Sequence, residues 1–253
     1  MLGHTVNAPR KQVVIFGLLC AVLTARSRPV LAGVTVRGEG PAMEPAPAAQ
    51  GTAAYPNLLA AGDEHRAAGK FSLALTDYAT ALTQAANDTE QALAMAKEGM
   101  IYVYDQTNYA AARHTVDAAL QLNNVQPVAL VTVLEVQAEC QIHVDKDIVA
   151  AAETIEKALK LRGVDWSRPH LSLKLGDCYR STGRFADAVA MYQKVTQMPQ
   201  AIPAIKASSY LNMGQAYQYN LQDSEKAKAA YADAVQLKPR LKSQIDGYLA
   251  EIH

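Results

Sequence analysis

The sequence predicts an all-α protein built as an open stack of about five helix hairpins plus one closing helix, and three observations carry that prediction. Half of the 253 residues are apolar while aromatics make up only 6%, and Ala dominates the apolar half, which suits thin, closely packed helices better than a sheet-based core. From Tyr55 onward Pro and Gly become sparse and apolar residues recur at spacings of three and four, the period of a helix facing a core. Finally, Ala74, Ala112, Ala151, Ala188 and Ala227 return every 37 to 39 residues.

Each of these alanines sits four residues before Tyr or a β-branched residue and seven before Ala or Val. That row is one helix face, with small residues where a paired helix crosses closely and a large one filling the gap beside it. A single hairpin cannot bury such a face, so hairpins must stack. The spacing divides the chain into hairpins at about 55–88, 89–126, 127–164, 165–202 and 203–240. After Pro239 an apolar stripe of Leu241, Ile245, Tyr248, Leu249 and Ile252 predicts a capping helix over 241–253 that closes the end of the stack.

The hairpins also resemble one another directly. Ala61 to Ala81 aligns with Leu175 to Val195, placing Gly62 on Gly176, Gly69 on Gly183, Phe71 on Phe185, Ala74 on Ala188 and Tyr78 on Tyr192. A third copy runs from Met213-Gly214 through Tyr217, Ala227, Tyr231 and Ala234 to Pro239. Gly69 and Gly183 suit helix stops in a left-handed turn.

In these residues the chain resembles the tetratricopeptide repeat family, whose pattern places Leu-Gly and Tyr on a first helix, then Ala, an aromatic and Ala on a second, then Pro. The resemblance covers about residues 55–240; it is strong in hairpins one, four and five, whereas two and three lack the first-helix Gly-and-Tyr arrangement. It implies a right-handed α-solenoid whose first helices line a concave groove that receives a protein or peptide partner. Carried over from the matched positions, the groove face comprises Asp63, Arg66, Lys97, Ile101, Tyr104, Val136, Cys140, His143, Leu173, Asp177, Arg180, Leu211, Gln215 and Gln218. As solvated face positions, Asp177 and Arg180 are expected to tolerate truncation to Ala with little loss of stability. The Lys and Asn clamp with which some relatives hold a terminal carboxylate is missing from hairpin one. The family period is about 34 residues, whereas this chain averages 38; the excess is about one helical turn, so longer helices are expected, mainly the first ones.

The amino-terminal region reads separately. Arg10 and Lys11 precede an apolar run from Val13 to Ala25, and Val30-Leu31-Ala32 ends on a small residue, the layout of a signal peptide over 1–32 cut after Ala32. Ala25 is a second candidate cut. The run is short for a membrane span, which takes about 20 residues; an uncleaved anchor over 13–25, on a scaffold that stays at the membrane or associates with itself, is the alternative. Residues 33–54 are rich in Gly, Pro and Ala without apolar period and read as a disordered linker. The expected address is therefore extracytoplasmic, periplasmic or secreted.

Chemistry is sparse. Removing the leader leaves 20 basic against 24 acidic residues, and no Lys/Arg cluster supplies the field that nucleic acid needs. The interval from Gly62 to Gly69-Lys70 is too long for a phosphate loop, and the histidines are dispersed, so no catalytic residue, cofactor site or metal site is assigned. Cys140, His143 and Asp145 beside Glu139 are the tightest metal candidate, yet one helix end cannot close a tetrahedral site. Cys140 and Cys178 read as buried thiols rather than a disulfide. Ser167 and Pro169 suit a helix start, and Trp166 is expected to staple that turn; an exposed Trp166 anchoring a partner is the alternative.

Overall fold

The computed structural model describes residues 54–252. The leader, the anchor alternative and the linker up to residue 53 lie outside the described residues. Eleven α-helices follow in order: α1 (Ala54–Ala67), α2 (Phe71–Gln84), α3 (Asp88–Met100), α4 (Tyr109–Ala119), α5 (Pro127–Cys140), α6 (Ile148–Leu159), α7 (Arg168–Ser181), α8 (Phe185–Gln197), α9 (Pro203–Gln215), α10 (Ser224–Leu237) and α11 (Lys242–Ala250). Among the described residues there is no strand, and no helix is long and apolar enough to cross a membrane. The odd-numbered helices up to α9 each pair with the next to make five hairpins, successive hairpins pack on one another, and α11 follows a short 3-10 turn at Pro239–Leu241. The all-α solenoid expected from the alanine period is the observed architecture.

The packing inside a hairpin explains the period. All five alanines of the row are fully buried, and so are Tyr78, Val116, Ile155, Tyr192 and Tyr231 four residues on. The tyrosine rings press on glycines of the first helix: a Cβ built on Gly62 would stand 2.4 Å from the Tyr78 ring, and on Gly176 or Gly214 it would stand 2.5 Å from Tyr192 or Tyr231. Only the absence of a side chain lets these helices close, and a residue at a ring's edge sets their separation. Hairpin two carries a different close approach, made partly to the hairpin that follows it. Gly99 meets Val136 and Thr115, with β-branched side chains replacing the ring.

The first helices end in two ways. In hairpins one and four, Gly69 (φ 71°) and Gly183 (φ 79°) take the left-handed conformation. The next N–H, of Lys70 or Arg184, reaches back 2.8 Å to His65 O or Tyr179 O, satisfying a carbonyl that the helix end would orphan. In hairpins two, three and five the helix instead widens into a π turn, at Ile101–Asp105, Gln141–Asp145 and Ala216–Leu221. Thr107, Lys146 and Gln222, with φ of 52°, 57° and 54°, end the excursion, and Asn108, Asp147 and Asp223 cap the second helix by accepting the N–H three residues on. The lengthening expected of the first helices thus appears in three hairpins, as a wide turn rather than a straight one. It is absent from α7, which keeps 14 residues; hairpin four places its extra residues in the connection 160–167 before it.

Two further expectations change. Ser167 occupies the cap position of α7, but its hydroxyl donates backwards to Val164 O at 2.8 Å instead of accepting from the helix. Trp166 staples nothing: it is 61% exposed. Cys140 and Cys178 are both buried, in separate apolar clusters.

The close approach gives a paired test. Gly176→Ala drives a methyl into the Tyr192 ring and is expected to cost about 1–3 kcal/mol, while Gly247→Ala, where nothing lies within 4 Å of the added carbon, gains about 0.5–1 kcal/mol from helix propensity. Chemical denaturation of both variants reads the contrast.

Candidate functional site

The buried tyrosines do not end in the core. Their hydroxyls emerge on the face made by the first helices, where Tyr78 donates to Asp63 Oδ1 and Tyr192 to Asp177 Oδ1, each at 2.7 Å, and Tyr231 donates to Gln218 Oε1, also at 2.7 Å. Each acceptor then ties to the next helix along. Lys97 Nζ donates to both Asp63 oxygens at 2.6 and 2.8 Å, Asn212 donates to Asp177 at 2.7 Å, and Gln218 donates to Tyr248 O at 2.8 Å. Asp63 and Asp177 hold the same offset in the two best-matched hairpins, a signal the sequence offered.

The centre of this face is different. Helix α5 is apolar almost throughout, and its residues from Val131 to Val136 are buried on every side, as expected for a rod surrounded by neighbours. Two carboxylates are carried in with it. Glu135 Oε1 accepts from Tyr104 Oη at 2.8 Å and lies 3.0 Å from His170 Nε2. Glu139 pairs with Lys174, lies 3.4 Å from His143 Nε2, and receives a longer contact from Tyr104 at 3.4 Å. Lys174 also stands 5.1 Å over the Tyr104 ring. Burial pushes the Glu135 carboxyl up, but the His170 contact, the Lys174 charge and the Tyr104 hydroxyl outweigh it and hold the group below the usual carboxylate range. Burial and both carboxylates push the Tyr104 hydroxyl far up, so it acts as a donor.

Against these groups lie two adjoining cavities of about 330 and 340 Å³ that share Met100, Glu135 and Trp166. The first is completed by Tyr104, Ser167 and His170, the second by Arg66, Leu93, Lys97, Val128 and Thr132. Helices α1, α3, α5 and α7 therefore converge on one site, with Trp166 standing at its mouth from the connection before α7. A larger recess of about 630 Å³ lies between α10 and α11. Its lining mixes Tyr231, Val235, Ile245 and Leu249 with Lys228, Gln236, Lys242 and Asp246, and Lys242 is already paired with Asp246.

The comparisons agree with this architecture. The tetratricopeptide repeat family matches residues 169–201 and 207–241, the last two hairpins. Similar solved structures include MamA, at 21% identity over 72% of this chain and 96% of that one, with a TM-score of 0.52. The Cut9–Hcn1 hetero-tetramer of the APC/C is similar at 15% identity over 73% of this chain and 33% of that chain, with a TM-score of 0.62. YrrB, described as a TPR protein with an unusual peptide-binding site, is similar at 19% identity over 76% and 93% of the chains, with a TM-score of 0.50. No curated protein matches the sequence. The last two hairpins match tetratricopeptide repeats, and the chain shares the fold of these solved structures.

On the repeat scaffold, the residues expected on the groove face fall into three groups. Arg66, Lys97 and Tyr104 border the cavities. Asp63, Asp177 and Gln218 are ties between helices, His143 stacks on Tyr109 with ring centroids 4.3 Å apart, and Leu173, Leu211, Gln215 and Arg180 are half-buried along the carboxy-terminal repeats. Ile101, Val136 and Cys140 do not face the groove at all: each is fully buried between repeats. Offsets counted on a regular repeat do not survive the π turns and the all-round burial of α5. The same carry-over missed Glu135, Glu139, Met100, His170 and Lys174. Two acids four residues apart inside the apolar run of α5 were the available signal, because a carboxylate is carried into a core only with partners.

Asp177 is also no solvated position. Burial raises its carboxyl above the ordinary range although Tyr192, Arg180, Asn212 and Lys174 oppose the rise. Truncating it leaves the Tyr192 hydroxyl and Asn212 without their acceptor, so Asp177→Ala is expected to lower stability by about 1–3 kcal/mol in thermal unfolding.

A second measurement follows from Glu98, whose carboxyl is pushed up to about 7 by burial. The folded chain holds a proton there that the unfolded chain releases near the ordinary value of 4.5, so this group lowers stability progressively as pH rises from 4.5 through 7. Glu98→Gln should raise the melting temperature at pH 8 and leave it unchanged at pH 4.

Proposed function

We propose that this repeat protein is an exported, non-catalytic scaffold that holds a segment of another protein along its first-helix face, in the assembly or maintenance of a cell-envelope complex. Tetratricopeptide repeats act by binding proteins or peptides, and the observation that carries the reading here is Trp166. A large aromatic left 61% exposed at the mouth of two cavities lined by convergent polar groups has the character of an interface hot spot, since truncating such anchors costs far more than truncating the contacts around them. The printed description of YrrB, a tetratricopeptide protein with a peptide-binding site, supports the same use of the fold. Export rests on the basic start, the apolar run from Val13 to Ala25 and the small residue Ala32. The envelope role is proposed on the strength of that export reading.

Two measurements test the two halves. Quantitative affinity capture from the native host, comparing the natural chain with Trp166→Ala, is expected to show a partner lost by about tenfold or more at unchanged melting temperature; equal recovery counts against the groove. Fractionation with amino-terminal sequencing is expected to find the mature chain outside the cytoplasm beginning at Gly33, and an intact leader on a cytoplasmic protein overturns export.

A further inference from the structure

Building on the reading of this face as the partner surface, we propose that the cavity beneath Trp166 receives a cationic side chain, a lysine or arginine of the partner segment, with its methylene stem against Trp166 and Met100 and its charged head on Glu135.

The floor decides the chemistry. The Glu135 side chain is only 8% exposed yet borders both cavities. Tyr104 and His170 both address its Oε1, and among the described residues no donor bonds its Oε2. Oε2 is not sealed off, so it is the acceptor that a guest's N–H can reach from the cavity, and a charged donor makes the stronger kind of hydrogen bond to a carboxylate.

The surrounding charges point the same way. The other two cations bordering the site are already matched: Arg66 Nε lies 2.7 Å from Asp105 Oδ2, and Lys97 spans both oxygens of Asp63. What remains at the floor is the Glu135 carboxylate with the His170 imidazole on its Oε1; the one ammonium nearby, that of Lys174, is paired with Glu139 outside the cavity lining.

The walls suit a long aliphatic stem. Trp166 and Val128 are 61% and 49% exposed, and Met100 adds a deformable thioether. Lysine and arginine lay their methylenes along such surfaces while the charged end reaches a polar partner, and an indole face attracts a cation. An acidic guest meets Glu135 head-on. A purely apolar guest fits the walls but seals Oε2 away from water without a donor.

Trp166 is the only tryptophan in the chain, so its emission reports occupancy directly. The full-length chain is titrated with acetyl-glycyl-arginyl-glycinamide and the lysyl equivalent, beside the glutamyl and leucyl peptides. A saturating change with the two cationic peptides and none with the others is expected, weakened roughly ten- to a hundredfold by Glu135→Gln. Should that variant fold poorly by circular dichroism, Val128→Lys places a competing ammonium at an exposed rim position and is expected to weaken the cationic peptides severalfold. Saturation by the glutamyl or leucyl peptide alone overturns the guest chemistry and leaves the partner surface standing. No response to the cationic peptides, or one indifferent to these variants, overturns the proposal; the capture experiment with Trp166→Ala judges the surface separately.

Discussion

A tyrosine ring lying on the bare backbone of a glycine is the contact on which the rest of this molecule depends. It sets how closely two helices of a hairpin approach, and therefore why a small residue must return at Ala74, Ala188 and Ala227 on the same helix as the ring. It also links core to surface. The ring fills the hairpin while its hydroxyl emerges on the opposite side and fixes Asp63, Asp177 or Gln218, each of which then holds the adjoining helix. Packing inside one hairpin and registration between hairpins are the same interaction seen from two ends.

Hairpins two and three lack that tyrosine, with Val116 and Ile155 in its place, so no hydroxyl emerges from that position of the second helix. The middle of the face is organised instead by α5, whose two glutamates gather Tyr104, His143, His170 and Lys174 around themselves. The cavities lie at this departure from the repeat. A cavity has room where the standard tie is missing, and the ties to either side keep the flanking helices in place.

That division explains what could be read in the chain beforehand. The alanine row, the large residue four positions on and the left-handed glycines are consequences of local geometry that every copy must obey, so Ala112, Ala151 and Gly183 announced themselves by spacing. The π turns did not, because a surplus of residues is equally consistent with one more regular turn. Gly99 escaped notice because its partners are Thr115 and Val136 rather than a ring. Ile101 and Val136 were misplaced for a related reason: position along a repeat specifies a helix face only while the helix stays regular and open on one side. Glu135 needed knowledge of what surrounds α5, which no pattern within α5 contains.

The apolar interior is divided into five clusters strung along the chain, each shared by neighbouring helices, rather than gathered into one mass. In such a one-dimensional arrangement each unit is held by its neighbours and the terminal units by fewer of them. Opening is therefore expected to begin at α1 or α11 and travel inward, and α5, buried continuously from Val131 to Val136, is expected to let go last. The cavities beside Trp166 are built on that rod, so fraying of either end leaves their floor assembled.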